Sequence, residues 1–415
     1  LLKEISESPR SFAKTVRGRL IETDEGYDVR LPAEALPSRV ASRLANGEFR
    51  RVEVIGQGTA AVAGQAVTAA FEWALRGSGL AVRPTTATEL SGFNLRDDMS
   101  DTLVVAISQS GTTTDTNRTV DIVRARGAGV VSIVNRRNSD LCDKSDGVLY
   151  TSDGRDVEMS VASTKAFYAQ IAAGVVLAHA VADRIPGARR SHDPESQELL
   201  AALRDLPDAM TETLGRREVI AAAAQRFCPS RRYWAIVGNG PNQIAARELR
   251  IKLSELCYKS IACDATEDKK HIDLSSEPMI LVCAAGLSGS TADDVAKEVA
   301  IFRAHKAAPI VVADEGERRF DAALAVLPVP SVDPRLGFVL STVAGHLFGY
   351  ECALAIDALA RPLREARAAI EHHTQVTHDG ELLLEALGQE MRDCLGAFQK
   401  LLAEKRFDGS LEAHT

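Results

Sequence analysis

The sequence predicts an α/β fold of two tandem, doubly wound parallel sheets, with a helical leader before them and a helical tail behind. Three observations predict it. From residue 51 onward short apolar runs alternate with longer stretches of helical spacing, the pattern of strands buried on both faces by crossover helices. The alternation then occurs a second time. Residues 233–237 with Gly238-Asn239-Gly240 match 52–55 with Gly56-Gln57-Gly58, residues 279–284 with the turn at 286–291 match 103–107 with 108–112, and 308–313 match 130–134. Self-similarity on this scale is a duplicated domain and not a solenoid of short repeats. Lastly, 102–107 read as a buried strand, 119–126 as a helix body, and the hydroxyl-rich Ser108-Gln109-Ser110-Gly111-Thr112-Thr113 joins them.

Taken in order, residues 1–49 form the leader, whose first twenty positions mix apolar and charged residues at helical spacing, with Ser8-Pro9 expected to interrupt them. Leu31-Pro32 and Leu36-Pro37 read as loop or short helical turns. The first domain spans 50–185: a strand at 52–55, a tight turn, an alanine-rich helix at 60–75, strands at 80–83, 102–107, 129–134 and 148–150, and a long helix at 163–181. A linker at 186–224 opens Pro186-Gly187 and turns polar and helical. The second domain spans 225–365 and an extension 366–415, whose amphipathic 382–402 is expected to dock on a partner or on the body. The chain begins at Leu1 rather than Met, which leaves room for residues upstream.

Composition removes whole classes of function. A chain of 415 residues with 45% hydrophobic and 26% charged residues is an ordinary globular protein of about two domains. Its net charge of −8 argues against a nucleic-acid surface. No apolar run is expected to reach membrane-spanning length, and the basic-then-apolar layout of a signal peptide is missing. Seven cysteines without a Cys-x-x-Cys pair predict reduced thiols in a cytosol and no zinc cluster. No metal is implied, as no His, Cys and carboxylate cluster has ligand spacing.

The chemistry-bearing stretches differ between the two copies. The turn at 108–113 offers free backbone N–H groups, the positive end of a helix dipole and several hydroxyls to one small anion, which suits a phosphate monoester. It lacks the Gly-x-x-x-x-Gly-Lys-[Ser/Thr] pattern and any lysine, so the β and γ phosphates of a nucleotide do not fit. Its counterpart in the second copy has Ala284-Ala285 where Ser108 would stand. That copy instead carries Glu248, Lys252 and Glu255 at i, i+4 and i+7, on one face of a helix that starts beside the Gly238-Asn239-Gly240 turn. Such a row is ordinarily a solvated face, but here it lies at the carboxyl end of a parallel strand, where open α/β sheets build their sites. A nicotinamide cofactor is not implied, because Gly56-x-Gly58 is followed by Ala61 where a third glycine would stand, with no acidic residue at the expected distance.

At these residues the chain resembles the isomerase half of glucosamine-6-phosphate synthase, which is made of two sugar isomerase (SIS) domains of flavodoxin-like form. The matching pieces are Lys3-Glu4-Ile5 with Pro9, Gly18-Arg19, Ile107-Ser108-Gln109-Ser110-Gly111 with Asp115-Thr116, Val161-Ala162-Ser163-Thr164-Lys165-Ala166-Phe167, and Glu248, Lys252-Leu253, Glu255 with Lys270-His271. They run in order through residues 1–367. The resemblance implies that Ser108, Gln109, Ser110 and Thr113 hold the sugar phosphate and that Thr59, Val161 and Ser163 contact the sugar. It further implies that Glu255 moves the proton, with Lys252 and Glu248 beside it, and that His271, sixteen positions beyond Glu255, opens the ring across a dimer interface. Taken alone, His271 beside Lys269 and Lys270 reads as a surface residue.

The departures bear on the chemistry. Gln57-Gly58-Thr59-Ala60 stands where the family has Cys-Gly-Thr-Ser, and Ile272-Asp273 where it has Gly-Pro. Near the C-terminus the family's imine-forming lysine falls at Arg367, which stays protonated and forms no imine, leaving only a noncovalent contact open. No N-terminal cysteine glutaminase is visible in these residues, so ammonia is expected from a separate glutaminase subunit or in exchange with solvent. Three readings stay open: an isomerase-type enzyme on a 6-phosphorylated amino sugar or ketose working through an enediol or enolamine, a fructosamine-6-phosphate deglycase, and a non-catalytic sugar-phosphate sensor or regulatory subunit. The first leads, because a sensor has no need of Glu255 and His271. The expected partners are a small-molecule sugar phosphate and a second copy of the chain, with no cofactor, nucleic acid or membrane.

Overall fold

In the computed structural model, residues 1–407 are described except Val161, Ile272, Asp273 and Thr377. The leader is helix α1 (Leu2–Val16), a hairpin of β1 (Leu20–Thr23) and β2 (Gly26–Val29), and α2 (Ser38–Ala45). Next come β3 (Arg51–Gly56), α3 (Thr59–Ala74), β4 (Ala81–Thr86), α4 (Ala87–Phe93), β5 (Thr102–Ser108), α5 (Thr114–Ala125), β6 (Gly129–Val134), α6 (Asp140–Lys144), β7 (Gly147–Tyr150) and α7 (Lys165–Ala182). Helices α8 (Pro194–Gly215) and α9 (Arg217–Phe227) lead to β8 (Trp234–Gly238), α10 (Asn242–Cys257), β9 (Ile261–Asp264), β10 (Met279–Cys283), α11 (Gly289–Ala304), β11 (Ala308–Asp314) and β12 (Ala325–Val329). Two long helices, α12 (Gly337–Val376) and α13 (Gly380–Phe407), close the described chain.

The strands form two parallel five-stranded sheets of the same topology, ordered β4-β3-β5-β6-β7 and β12-β11-β10-β8-β9. Each is a doubly wound sheet, as expected from the duplication. Strand order reverses between β3 and β5 in one copy and between β8 and β10 in the other, and at such a switch the loops after neighbouring strands diverge and leave a crevice. Every residue of β5 is buried, which is why it reads as one apolar run. Proline 84 is tolerated because β4 is an edge strand.

One core joins the copies. Ala63, Ala66, Ile171 and Val175 on α3 and α7 pack in the same apolar cluster as Leu249, Leu253, Val343 and Leu347 on α10 and α12. Both copies use one device to bring the paired helices close. A Cβ on Gly174 of α7 would lie 2.2 Å from Val67 Cγ2 of α3, and one on Gly345 of α12 would lie 2.2 Å from Leu249 Cδ1 of α10. Only glycine admits that approach.

Several expectations are corrected by packing. Helix α1 runs straight through Pro9, because Ile5, Phe12 and Val16 are buried against α7 and α8 and outweigh the lost backbone bond. The stretch read as a polar linker is the pair α8 and α9, and α8 buries Leu199, Leu200, Leu203, Leu206 and Met210. The leader hairpin, α4, α6, β9 and β12 carry too weak a pattern to be read from sequence. Helix α13 packs on α12, within the chain. Two helices, α7 and α12, are in fact long and apolar enough for a membrane, contrary to expectation, but 100% and 72% of their apolar windows lie inside the protein. The thiols are not all reduced: Cys228 at the end of α9 and Cys352 on α12 are joined as a disulfide with Cα atoms 5.7 Å apart. Their separation of 124 positions hides that pairing from the sequence.

Candidate active site

A cleft of about 310 Å³ opens at the switch point of the first sheet. Its walls are the Gln57-Gly58-Thr59-Ala60 turn after β3, the Ser108-Gln109-Ser110 and Thr113 turn after β5, Glu158, Ser163 and Gln170 around the start of α7, and Ile251, Lys252 and Glu255 of α10. One domain thus supplies a hydroxyl-lined floor and the other a wall with an ammonium and a carboxylate.

The hydroxyl turn is shaped by its own bonds. Gly111 N donates to Ser108 Oγ at 3.0 Å, Thr112 N to Ser110 Oγ at 3.2 Å, and Ser108 Oγ lies 3.4 Å from Thr113 Oγ1. Asn117 reaches back from the first turn of α5 to the carbonyls of Gly111 (3.0 Å) and Thr113 (3.1 Å). Gly111 has φ +65°, and a Cβ there would sit 2.0 Å from Ser139 Oγ, so the chain can turn here only with glycine. Thr113 holds the N-cap position of α5 without a side-chain cap bond, so its hydroxyl is left to face the cleft beside the first N–H groups of the helix. An anion seated here would meet hydroxyls and the positive end of the α5 dipole.

The corresponding turn of the second copy is built differently. There Gly286 N donates to Asp314 Oδ1 at 2.7 Å, so the protein's own carboxylate occupies the amide that an anion would use. The open depression beside it is lined by charges of both signs, Asp314, Glu315 and Glu317 with Arg318 and Arg319.

Charge on the α10 wall is arranged in a row. Lys252 Nζ donates to Glu255 Oε2 at 3.2 Å and lies 3.9 Å from Glu248 Oε1. Glu255 is 41% exposed, while Lys252 and Glu248 are 2% and 0% exposed, so the row runs from the cleft into the interior. Thr59 Oγ1 donates to Glu248 Oε1 at 3.4 Å and Arg247 Nη1 to Gln65 Oε1 at 2.7 Å, two bonds that tie α10 to the first domain. A carboxylate with one oxygen toward the cleft and an ammonium at its back can accept a proton from a bound molecule and return it, while the ammonium steadies negative charge that develops nearby.

The third wall is anchored by the leader. Glu158 accepts from Thr164 N and Ala166 N, both at 3.0 Å, so its carboxylate satisfies the start of α7, and it also accepts from the Ser163 hydroxyl. Glu4 of α1 accepts from Met159 N at 2.5 Å and Ser160 N at 2.9 Å, and Lys165 donates to Glu7 at 2.8 Å, a bond that holds the Glu7 carboxyl below its usual range.

Of the residues singled out from sequence, Ser108, Gln109, Ser110, Thr113, Thr59, Ser163, Lys252 and Glu255 line this cleft. Glu248 stands behind it. Val161 lies outside the described residues. His271 ends a short 3-10 turn at Asp268–His271, exposed and outside the lining, and Arg367 lies on the exposed flank of α12, paired with Glu371 at 2.7 Å. Sequence reasoning missed Glu158, Gln170, Tyr168 and His346. The last three are buried polar or aromatic-polar groups in α7 and in the first turns of α12, stretches in which most neighbouring residues are apolar, and that contrast is the signal that would have found them. Among the described residues no group of three or more His, Cys, Asp or Glu is placed to hold a metal ion.

Comparison with known proteins follows the same outline. Residues 48–180 match the SIS domain family. Over 361 residues the chain is 32% identical to glutamine–fructose-6-phosphate aminotransferase [isomerizing] of Thermus thermophilus, a match covering 86% of this chain and 56% of that one. The chain therefore spans about half the length of the curated relatives it matches. The C-terminal domain of glucosamine-fructose-6-phosphate aminotransferase from Francisella tularensis superposes with a TM-score of 0.75 at 22% identity, covering 86% of this chain and 96% of that one. Tagatose-6-phosphate ketose/aldose isomerase from Escherichia coli superposes at 0.64 with 17% identity, over 85% and 91%. At these identities the two superpositions speak to the fold.

Proposed function

From a chain that carries a SIS domain at residues 48–180 and resembles the isomerase half of the glucosamine-6-phosphate synthases over 86% of its length, we propose an enzyme that enolises a 6-phosphorylated amino sugar or ketose. The observation that carries this reading is the single cleft in which the Ser108–Thr113 hydroxyls of one domain face Lys252 and Glu255 of the other. The phosphate sits on Ser108, Gln109, Ser110 and Thr113. The open-chain sugar then extends past Thr59 and Ser163 toward α10. Glu255 takes the proton from C1 or C2 and returns it to the neighbouring carbon, while Lys252 stabilises charge on the oxygen of the enediol, or on the enolamine when nitrogen is present. The division into domains at 50–185 and 225–365 belongs to the same reading.

As the family resemblance implies, ring opening falls to His271 of a second copy, which agrees with its place outside the lining, and the working enzyme is a homodimer. Sedimentation at assay concentration is expected to give a dimer, and a fully active monomer would overturn this. A separate glutaminase subunit is the expected source of ammonia for a synthetic direction.

A second reading, a fructosamine-6-phosphate deglycase, is favoured by one observation. Among the described lining residues the only amine is Lys252, which is ion-paired with Glu255 and Glu248, and Arg367, which stands where the family's imine-forming lysine falls, lies outside the lining. Proton exchange followed by NMR in deuterated water, with fructose 6-phosphate, glucosamine 6-phosphate and a fructosamine 6-phosphate supplied separately, tests both readings. Deuterium is expected at C1 or C2 of one of them, and which compound exchanges decides between isomerase and deglycase. Tight binding without exchange in any of the three would leave only a sensor.

A further inference from the structure

Behind the α10 row lies a polar chain that the proposed reaction does not yet use. Tyr168 Oη of α7 is 2.7 Å from His346 Nδ1 of α12, and His346 Nε2 faces Glu248 Oε1 at 3.6 Å. Tyr168 and His346 are buried at 0% and 1% exposure, and Glu248 at 0%. The chain therefore continues inward from the cleft as Glu255, Lys252, Glu248, His346, Tyr168. Among the described residues neither His346 Nε2 nor Glu248 Oε2 has a hydrogen-bond partner, so the 3.6 Å between Nε2 and Glu248 Oε1 is an approach of two buried groups.

The tautomer follows from these contacts. If Tyr168 accepted from an Nδ1–H, a neutral ring would turn the Nε2 lone pair toward the Glu248 carboxylate, which is repulsive in a site shielded from water. If the ring were an imidazolium, burial and the neighbouring Lys252 ammonium would oppose its charge. Burial in fact holds the His346 imidazole below its usual titration range, against the opposite pull of Glu248. Burial, with the Glu248 charge adding to it, likewise pushes the Tyr168 phenol well above its usual value, so it remains a donor. The groups that face His346 are Tyr168 from α7, Glu248 and Lys252 from α10 and, through its field, Glu158 from the segment before α7. The arrangement without a clash has Tyr168 donating to Nδ1 and an Nε2–H aimed at Glu248.

We propose that His346, fixed by Tyr168 as the neutral Nε2–H tautomer, is a positioning residue that orients Glu248 and through it seats the Lys252 ammonium against Glu255. The inference rests on Glu255 being the proton-moving group. Without the Nε2–H donor, Glu248 has only the distant ammonium and Thr59 to orient it, and Lys252 is drawn inward, away from Glu255.

Two measurements test it. In the full chain labelled with 15N-histidine, with the His346 signals assigned through His346→Gln, two-bond proton–nitrogen spectra are expected to show a neutral ring protonated at Nε2 from about pH 6 to about pH 8, spanning the ordinary imidazole range. A ring protonated at Nδ1, or an imidazolium at neutral pH, overturns the proposal. In the deuterium-exchange assay, His346→Leu is expected to lower kcat about 10²-fold with KM little changed, the size of effect that misplacing a catalytic group produces. His346→Gln, whose amide can accept from Tyr168 and donate to Glu248, is expected to recover most of that loss. Equal losses in both variants, or none in either, overturn the positioning role. If the parent chain exchanges none of the sugars, the proposed reaction fails, and the observed tautomer alone decides the role of His346.

Discussion

Glutamine in place of Glu255 lowers deuterium incorporation about 10²-fold or more while sugar-phosphate affinity stays within about threefold of the parent chain, as loss of a general base predicts. That loss corresponds to about 2.7 kcal/mol of transition-state stabilisation. The substitution keeps shape and one acceptor oxygen for the bond from Lys252, so the row on α10 should remain folded. Affinity is expected to be preserved because the proposed phosphate site lies on the other domain. Unchanged turnover would remove Glu255 from the mechanism. Parallel loss of binding and turnover would make it a structural member of the ion-paired row.

The second large effect concerns the hydroxyl turn. Removing two hydroxyls with Ser110→Ala and Thr113→Ala takes away two hydrogen bonds to a charged group, each worth about 1.5 kcal/mol or more. Affinity for a 6-phosphorylated sugar should therefore fall about 10²-fold, with the unphosphorylated sugar changed less than about threefold. Titration calorimetry with the matched pair of sugars reads the difference directly. Equal losses for both sugars would mean that these side chains only shape the turn, as their bonds to Thr112 N and to Ser108 Oγ would then suggest.

How much of this was legible in the sequence depends on the range over which each feature is encoded. Strands such as β5 and β6 are wholly buried, and their apolar runs declare them. The turn at 108–113 and the row Glu248, Lys252, Glu255 are local patterns whose geometry follows from strand and helix periodicity. Strand β12 was not legible, since its Ala325–Val329 has only intermediate burial at most positions. Nor was the packing of α8, because only contact with α1 and α12 turns its leucines into core. The meeting of Tyr168 with His346 joins positions 178 apart, and no one-dimensional pattern carries that. The same holds for Glu4, which reaches 155 positions along the chain to the backbone above the cleft.

In the proposed reaction the cleft takes its phosphate-holding turn from one domain and its proton-moving row from the other, and the two are joined through Thr59 with Glu248 and Gln65 with Arg247. In such an arrangement the phosphoryl group, though it does not react, acts as a handle whose intrinsic binding energy is expressed in the rate. Anchored on the first domain, it fixes how far along the cleft the carbonyl end of the sugar lies and so registers C1 and C2 against Glu255. A sugar without that handle loses speed as well as affinity, because it enters the cleft with its reacting carbons unaligned.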